Sequence, residues 1–505
     1  MKVRPIDTLK ERLCEISYIA AANAVLGWDQ EVHMPEKGAD ARATTSSHLS
    51  SIVHEKLVAL DHDKLLSGLK RDVDSKKLKG KDAVVVEETW RTYEREKKLP
   101  TSFVKEYSVL VSKAQNVWAQ ARKKDDFNMF LPYLRQIIEM KRKEAKLIGY
   151  KDSPYDALID SYEPGLNTKD ASVMLNDLRD FLIPFLKEIK ASKVKVNPKK
   201  TKGKIPLSEQ LAFNRMVAET MGFDFAAGRM DESTHPFTTT FHTHDVRITT
   251  RFREDDLLYS LGSTIHETGH ALYEQGLPSE HFGTPLSEAI SLGVHESQSR
   301  LWENNIGRGI PFWKYFYPKL QKKFSKLFKA LPFEEFMLIL NEVKPSLIRT
   351  EADEVTYNLH IIVRFEIEKG MIEGSIDPKD LPKVWKAKMK EYLGIEVPSD
   401  TLGVLQDVHW SAGYIGYFPT YSLGNLYAAQ WYVAMERDIP DLSKKIAKGE
   451  LSIPREWLRT HVHLHGKTYK AADLLKKVTG EAPSSRFFIE YLKKKYGKLY
   501  SLGNL

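Results

Sequence analysis

The sequence predicts a mainly α-helical fold with one small β element, and three observations carry that prediction. Apolar residues recur at helical spacing along most of the chain, one stretch near the middle alternates β-branched residues, and no glycine- or serine-rich linker divides it. A length of 505 residues would allow roughly two to four domains, but without a linker one continuous unit is the simpler reading. Within it, 1–100 read as N-terminal helices, 101–230 as a helical lobe, 231–430 as the β element with the chemistry-bearing motifs, and 431–505 as C-terminal helices.

Leu9, Leu13, Ile16 and Ala20 set a first helix that ends near Gly27, followed by a loop over Trp28 to Pro35 and a second helix from near Ala39. Further helices fit Asp82 to Lys98, Ser102 to Lys123 after the break at Pro100, and Lys169 to Ile189. The lysine-dense run Lys190 to Lys204 contains Asn197-Pro198 and Gly203 and no aromatic platforms, so it reads as a solvated loop rather than a nucleic-acid surface. Phe237 to His242 and Val246 to Arg251, joined by Thr243-His244-Asp245, read as a hairpin. Such an edge can hold an extended peptide by main-chain hydrogen bonds. Leu257 to Gly276 reads as one helix and Ser287 to Asn305 as the next.

Basic and acidic residues, 76 and 68, are mixed along the chain and leave a net charge of +8, which argues against nucleic acid as a partner. The lone Cys14 excludes an internal disulfide and a cysteine-based metal site. No apolar run approaches the length of a membrane span, and Met-Lys-Val-Arg-Pro leads into a charged helix rather than a signal peptide, so a soluble cytoplasmic protein is expected.

The helix at Leu257 to Gly276 carries His266-Glu267-Thr268-Gly269-His270. Residues four apart share a helix face, so both imidazoles can reach one metal while Glu267 flanks it. Leu257, Leu258, Leu261, Ile265 and Leu272 make the segment apolar, and buried histidines need a partner, which a shared metal supplies. In such a site zinc polarises a carbonyl and lowers the pKa of its water, and the glutamate takes the proton. A catalytic zinc has three protein ligands and an open position. Glu274 points past the metal, and spacing alone leaves Glu288 and Glu296 in competition for the third place.

The wider pattern resembles the carboxypeptidase Taq family of zinc carboxypeptidases. The family motifs stand in order as His235-Pro236-Phe237, Asp245-Val246-Arg247-Ile248-Thr249, the pentapeptide at 266 to 270, His295-Glu296-Ser297-Gln298, Ile348-Arg349-Thr350-Glu351-Ala352-Asp353 and Gly403-Val404-Leu405-Gln406-Asp407-Val408-His409-Trp410. Trp28-Asp29 to Met34-Pro35 is also similar. The resemblance implies a two-lobed helical molecule with a deep groove, distantly similar to neurolysin and angiotensin-converting enzyme, a homodimer, and Glu296 as third ligand. His235, His242 and His244 read either as polar groups of the groove or as plain strand histidines, with His235 the one carried forward as a substrate-binding candidate, and none is assigned a metal.

Carboxypeptidase action requires a cation that captures the terminal carboxylate, and arginine matches it bidentately. Arg349 is the first choice, because Arg349, Asp353 and Tyr357 would share one helix face, and Arg247 on the hairpin is the second. Hydrolysis also needs donors for the oxyanion. Tyr414-Ile-Gly-Tyr417-Phe looks like the corresponding run of angiotensin-converting enzyme, which implies Tyr417 and His409 as oxyanion donors and Tyr414 near the product carboxylate; Tyr421 reads as packing. The expectation is therefore a metallocarboxypeptidase acting on peptides, with one Zn2+ per chain and Co2+ as a possible substitute. A neurolysin-type endo-oligopeptidase and a non-catalytic helical peptide-binding protein are the alternatives.

Overall fold

The computed structural model describes residues 3–503. It is mainly helical, as expected, with one three-stranded sheet. Two apolar clusters hold it together. The smaller joins the N-terminal helices Pro5–Val32, Leu65–Asp74 and Gly80–Lys97 through Leu9, Leu13, Leu66, Leu69, Val85 and Val86, with Leu286 reaching in from the body. The larger runs through the rest of the chain. Among the described residues no helix is long and apolar enough to cross a membrane.

The first helix does not stop at Gly27 but continues to Val32, so the expected loop at Trp28 is helical. Glycine costs a helix only ~1 kcal/mol relative to alanine, and buried Trp28 outweighs it by packing on the sheet, its indole 5.0 Å from the Arg229 guanidinium and 4.3 Å from that of Arg247. The helices Ala39–Val58, Gly80–Lys97, Thr101–Lys124 and Thr168–Ala191 lie within two residues of their expected bounds. Past Ala191, where the preceding helix ends, the lysine-rich run is irregular apart from a short 3-10 turn at Pro198–Thr201.

The hairpin forms as β2 (Thr238–His242) and β3 (Asp245–Thr250), but a strand absent from the sequence reading, β1 (Gly228–Glu232), pairs parallel to β3. The order is β1-β3-β2, which leaves β2 as an edge. Alternation along the strands sends Val246 and Ile248, with Thr238 opposite Ile248, toward the helix Leu257–Gly276, and sends Arg247 to the other face.

Leu257–Gly276 has the expected bounds; Asp256 caps it by accepting the Tyr259 amide at 3.3 Å. The following helix begins at Leu292, not Ser287. Ser291 accepts the Val294 amide and buried Glu163 accepts that of Gly293 at 2.9 Å, so capping chemistry sets the start. After Arg300 the chain loosens into a π-helical stretch, Leu301–Gly307. Gly269 lets the two helices cross closely, since a Cβ there would lie 2.6 Å from Ser299 Cα. The helix Pro419–Asp438 packs beneath Leu292–Arg300, with Gly424 under Glu296.

Candidate active site

His266, His270 and Glu296 converge: one donor atom from each lies within 4.8 Å of the others. Glu296 Oε2 stands 3.3 Å from His270 Nε2 and 3.9 Å from His266 Nε2. Each of the three is also held from behind. His266 Nδ1 is 2.8 Å from Glu303 Oε2, and His270 Nδ1 is 2.6 Å from His295 Nδ1, whose Nε2 is 2.8 Å from Glu274 Oε1. Arg300 donates from Nε to Glu296 Oε1 at 2.7 Å and from Nη1 to Glu303 at 3.2 Å. Two imidazoles and one carboxylate oxygen, each oriented by a partner, fit a divalent metal with a position left open for water or substrate.

The electrostatics agree with that fit. Burial opposes ionisation of Glu296, but Arg300 and the two histidines outweigh it and hold the carboxyl well below its usual range. Burial, only partly offset by the Glu296 hydrogen bond, pushes His270 down to about 3, which keeps its ring neutral and its lone pair available. Glu288 precedes the helix and pairs with Lys467, outside this group.

Glu267 is buried beside the cluster, and the Thr238 hydroxyl of the edge strand donates to its Oε2 at 2.7 Å. Burial raises its pKa, opposed by His266 and Thr238. A wall of aromatic side chains lies near Glu296. His409 Nε2 is 3.2 Å from the Tyr421 hydroxyl, and the Tyr417 ring lies 5.3 Å from the rings of both. Burial, reinforced by Arg349, pushes His409 down to about 3, so this ring is also neutral. Half-exposed Tyr414 stacks on Tyr417 at 5.9 Å. Tyr421, assigned to packing from sequence, instead brings its hydroxyl to His409 and its ring under Arg349 at 4.9 Å.

Arg349 does not share a helix face with Asp353 and Tyr357. It sits in a 3-10 turn, Arg349–Glu351, and the helix begins only at Tyr357. Its Nε donates to Asp407 at 3.0 Å and its Nη1 to the Tyr357 hydroxyl at 3.1 Å. Asp353 is taken by the amides of Lys344, Val355 and Thr356, the local backbone donors an aspartate favours at a helix entry. Arg247 forms a two-point pair with Asp245 at 2.9 and 3.0 Å between Trp28 and Phe241, on the sheet face away from the metal-site helix. His235 is exposed in the loop between β1 and β2.

Sequence reasoning missed Glu303, Arg300, His295 and the role of Glu274. Glu303 follows Glu296 by seven residues, two helical turns, a spacing that could have flagged it.

The chain matches the family described as carboxypeptidase Taq (M32) metallopeptidase over residues 8–496. Carboxypeptidase 1 of Bacillus subtilis (strain 168) is 40% identical over 490 residues, covering 97% of each chain. Thermostable carboxypeptidase 1 of Thermus thermophilus is 40% identical over 499 residues, 96% of this chain and 97% of the relative. The M32 carboxypeptidase of Deinococcus radiodurans R1 superposes with a TM-score of 0.95 at 36% identity, over 98% of this chain and 99% of that one.

Proposed function

The chain belongs to the carboxypeptidase Taq (M32) family of metallopeptidases, a metallocarboxypeptidase acting on peptides, and we propose on that premise that it is a zinc enzyme releasing single amino acids from peptide C-termini. The observation that carries the reading is the meeting of two imidazole nitrogens and a carboxylate oxygen within 4.8 Å, beside buried Glu267. His266, His270 and Glu296 would hold the metal, which when bound supplies Lewis acidity to the scissile carbonyl and a more acidic water.

The side chains around it have distinct tasks in this proposal. Glu267 Oε2 is occupied by Thr238, so Oε1 takes the proton of the attacking water and later delivers it to the leaving amine. Tyr417 and His409 donate to the oxyanion. Arg349 binds the terminal carboxylate and thereby fixes which bond meets the water, with Tyr414 near the released carboxylate. Arg247, paired with Asp245, is the second candidate for that contact, and His235 lines the approach to the edge strand. That edge accepts peptide backbone without regard to sequence. We extend the reading to a cytoplasmic homodimer; a single cysteine suits a reducing compartment.

Incubating the protein with a peptide ladder and weighing the products tests this. Stepwise loss from the C-terminus, abolished by a chelator and restored by zinc, is expected; internal or N-terminal cleavage would overturn it. Restoration by cobalt alone would keep the carboxypeptidase and change the metal.

A further inference from the structure

We infer that His295, itself held by Glu274, is the positioning residue that orients His270 toward the metal, so that the second metal histidine is fixed by another imidazole rather than by a carboxylate. This rests on His270 being a ligand, as proposed above.

Two like ring nitrogens face each other here. His270 Nδ1 and His295 Nδ1 are 2.6 Å apart, and a hydrogen bond between two ring nitrogens requires one proton between them. His270 turns Nε2 toward Glu296 at 3.3 Å, so that nitrogen must stay unprotonated to bind a metal and the ring proton sits on Nδ1. His295 Nδ1 therefore accepts. The proton of His295 is then on Nε2, which donates to Glu274 Oε1 at 2.8 Å. Each tautomer in the row dictates the next.

The fold supports this row at both ends. His270, Tyr273 and Glu274 are spaced i, i+3, i+4 on one helix, so the same face supplies the ligand and the terminal acceptor. The His295 ring lies between those of His270, at 4.6 Å, and Tyr273, at 5.4 Å, and the Tyr273 hydroxyl is fixed by accepting the Ile290 amide. His266 is treated differently, because its Nδ1 meets the carboxylate of Glu303 directly at 2.8 Å. The two metal histidines are therefore unequal: an ionised carboxylate makes His266 the more basic donor, while His270 depends on a neutral ring for orientation.

Zinc affinity of the full-length apoprotein, measured by competition with a chromophoric chelator, tests the inference. His295→Leu should weaken zinc binding about 10- to 100-fold. His295→Gln should recover most of the loss, since its amide can accept from His270 and donate to Glu274. Glu274→Leu should also weaken binding, and Glu274→Leu combined with His295→Leu should be no weaker than His295→Leu alone, because Glu274 acts only through His295. Losses that multiply in the double variant, or a Gln variant no better than Leu, would overturn the relay. If His295→Leu fails to fold, Glu274→Leu and His295→Gln decide: unchanged affinity in Glu274→Leu, or a Gln variant as weak as a ligand deletion, overturns it. The visible spectrum of the cobalt-loaded protein should shift in Glu274→Leu and stay near wild type in His295→Gln; an unshifted spectrum in Glu274→Leu counts against the relay. A wild type that binds neither zinc nor cobalt would instead overturn the ligand assignment itself.

Discussion

Arg349 donates from Nε to Oδ1 of Asp407 across 3.0 Å, and Arg364 donates to the other oxygen of Asp407 at 2.7 Å. One buried carboxylate thus holds two guanidinium groups. Burial disfavours its charge, but the two arginines outweigh that and keep Asp407 far below the ordinary carboxylate range. Two cations against one anion leave positive charge at the aromatic wall, which is what a receptor for a terminal carboxylate requires. Asp407→Asn should lower kcat/KM on free-acid peptides about tenfold or more, the scale of one hydrogen bond to a charged group, without reducing metal content. Unchanged kinetics would show that Asp407 does not set the clamp.

Glu267→Gln keeps the shape of the side chain and the contact with Thr238 but loses the base. Turnover should fall by at least about 100-fold, the lower end for general-base catalysis, while zinc stoichiometry stays near that of wild type. Near-normal turnover in the zinc-loaded variant would remove Glu267 from the mechanism.

Gly424 touches no metal, yet a Cβ added there would lie 2.4 Å from Glu296 Cγ. The neighbouring helix cannot yield easily, so Gly424→Ala should displace the Glu296 carboxylate and weaken zinc binding, approaching the effect of Glu296→Ala, whereas Glu288→Ala should bind normally. Equilibrium metal titration of the three variants checks this; the reverse order would reassign the third ligand.

Glu368 anchors the loop that carries His409 and Tyr417, accepting from the Trp410 indole at 2.8 Å, the Tyr155 hydroxyl at 2.8 Å and the Gly416 amide at 3.0 Å. Burial raises its pKa to about 7 against the pull of these donors, whereas an unfolded glutamate titrates near about 4.3. The folded state holds the proton more tightly, so this stabilisation is complete below the unfolded value and is lost as pH rises through about 7. Denaturant midpoints of wild type and Glu368→Gln should therefore converge, or cross in favour of the variant, between about pH 5 and about pH 7.5. Parallel curves would place no proton on Glu368 in the folded state.

What could be read from sequence was local, and what could not was long-range. The bounds of Leu257–Gly276 were legible because its apolar residues keep helical spacing from end to end. The motif histidines, Glu267 and Glu296 were legible from motif order. Strand β1 was not, since Gly-Arg-Met-Asp-Glu is charged and becomes a strand only by pairing with β3. The end of the first helix was misread because Trp28 is held by arginines some two hundred residues away in sequence. The shared helix face expected for Arg349, Asp353 and Tyr357 was misread: Asp353, near in sequence, is taken by local amides, and Asp407, 58 residues on, holds the Arg349 guanidinium. His295 was read only as the neighbour of Glu296, because its role depends on two atoms of the preceding helix.

Recognition of a free C-terminal carboxylate by Arg349, as proposed, is read out by kcat/KM for one peptide as its free acid and as its amide. Wild type should strongly prefer the acid, and Arg349→Met should lose about 10- to 150-fold of that preference, corresponding to roughly 1.5 to 3 kcal/mol for a charge-assisted contact. Arg349→Lys should also suffer, because an ammonium cannot reproduce the planar two-point contact. A preference that survives in Arg349→Met and collapses in Arg247→Met would move the clamp to the sheet, and a wild type that cleaves acid and amide equally well would rule out recognition of the terminal carboxylate altogether.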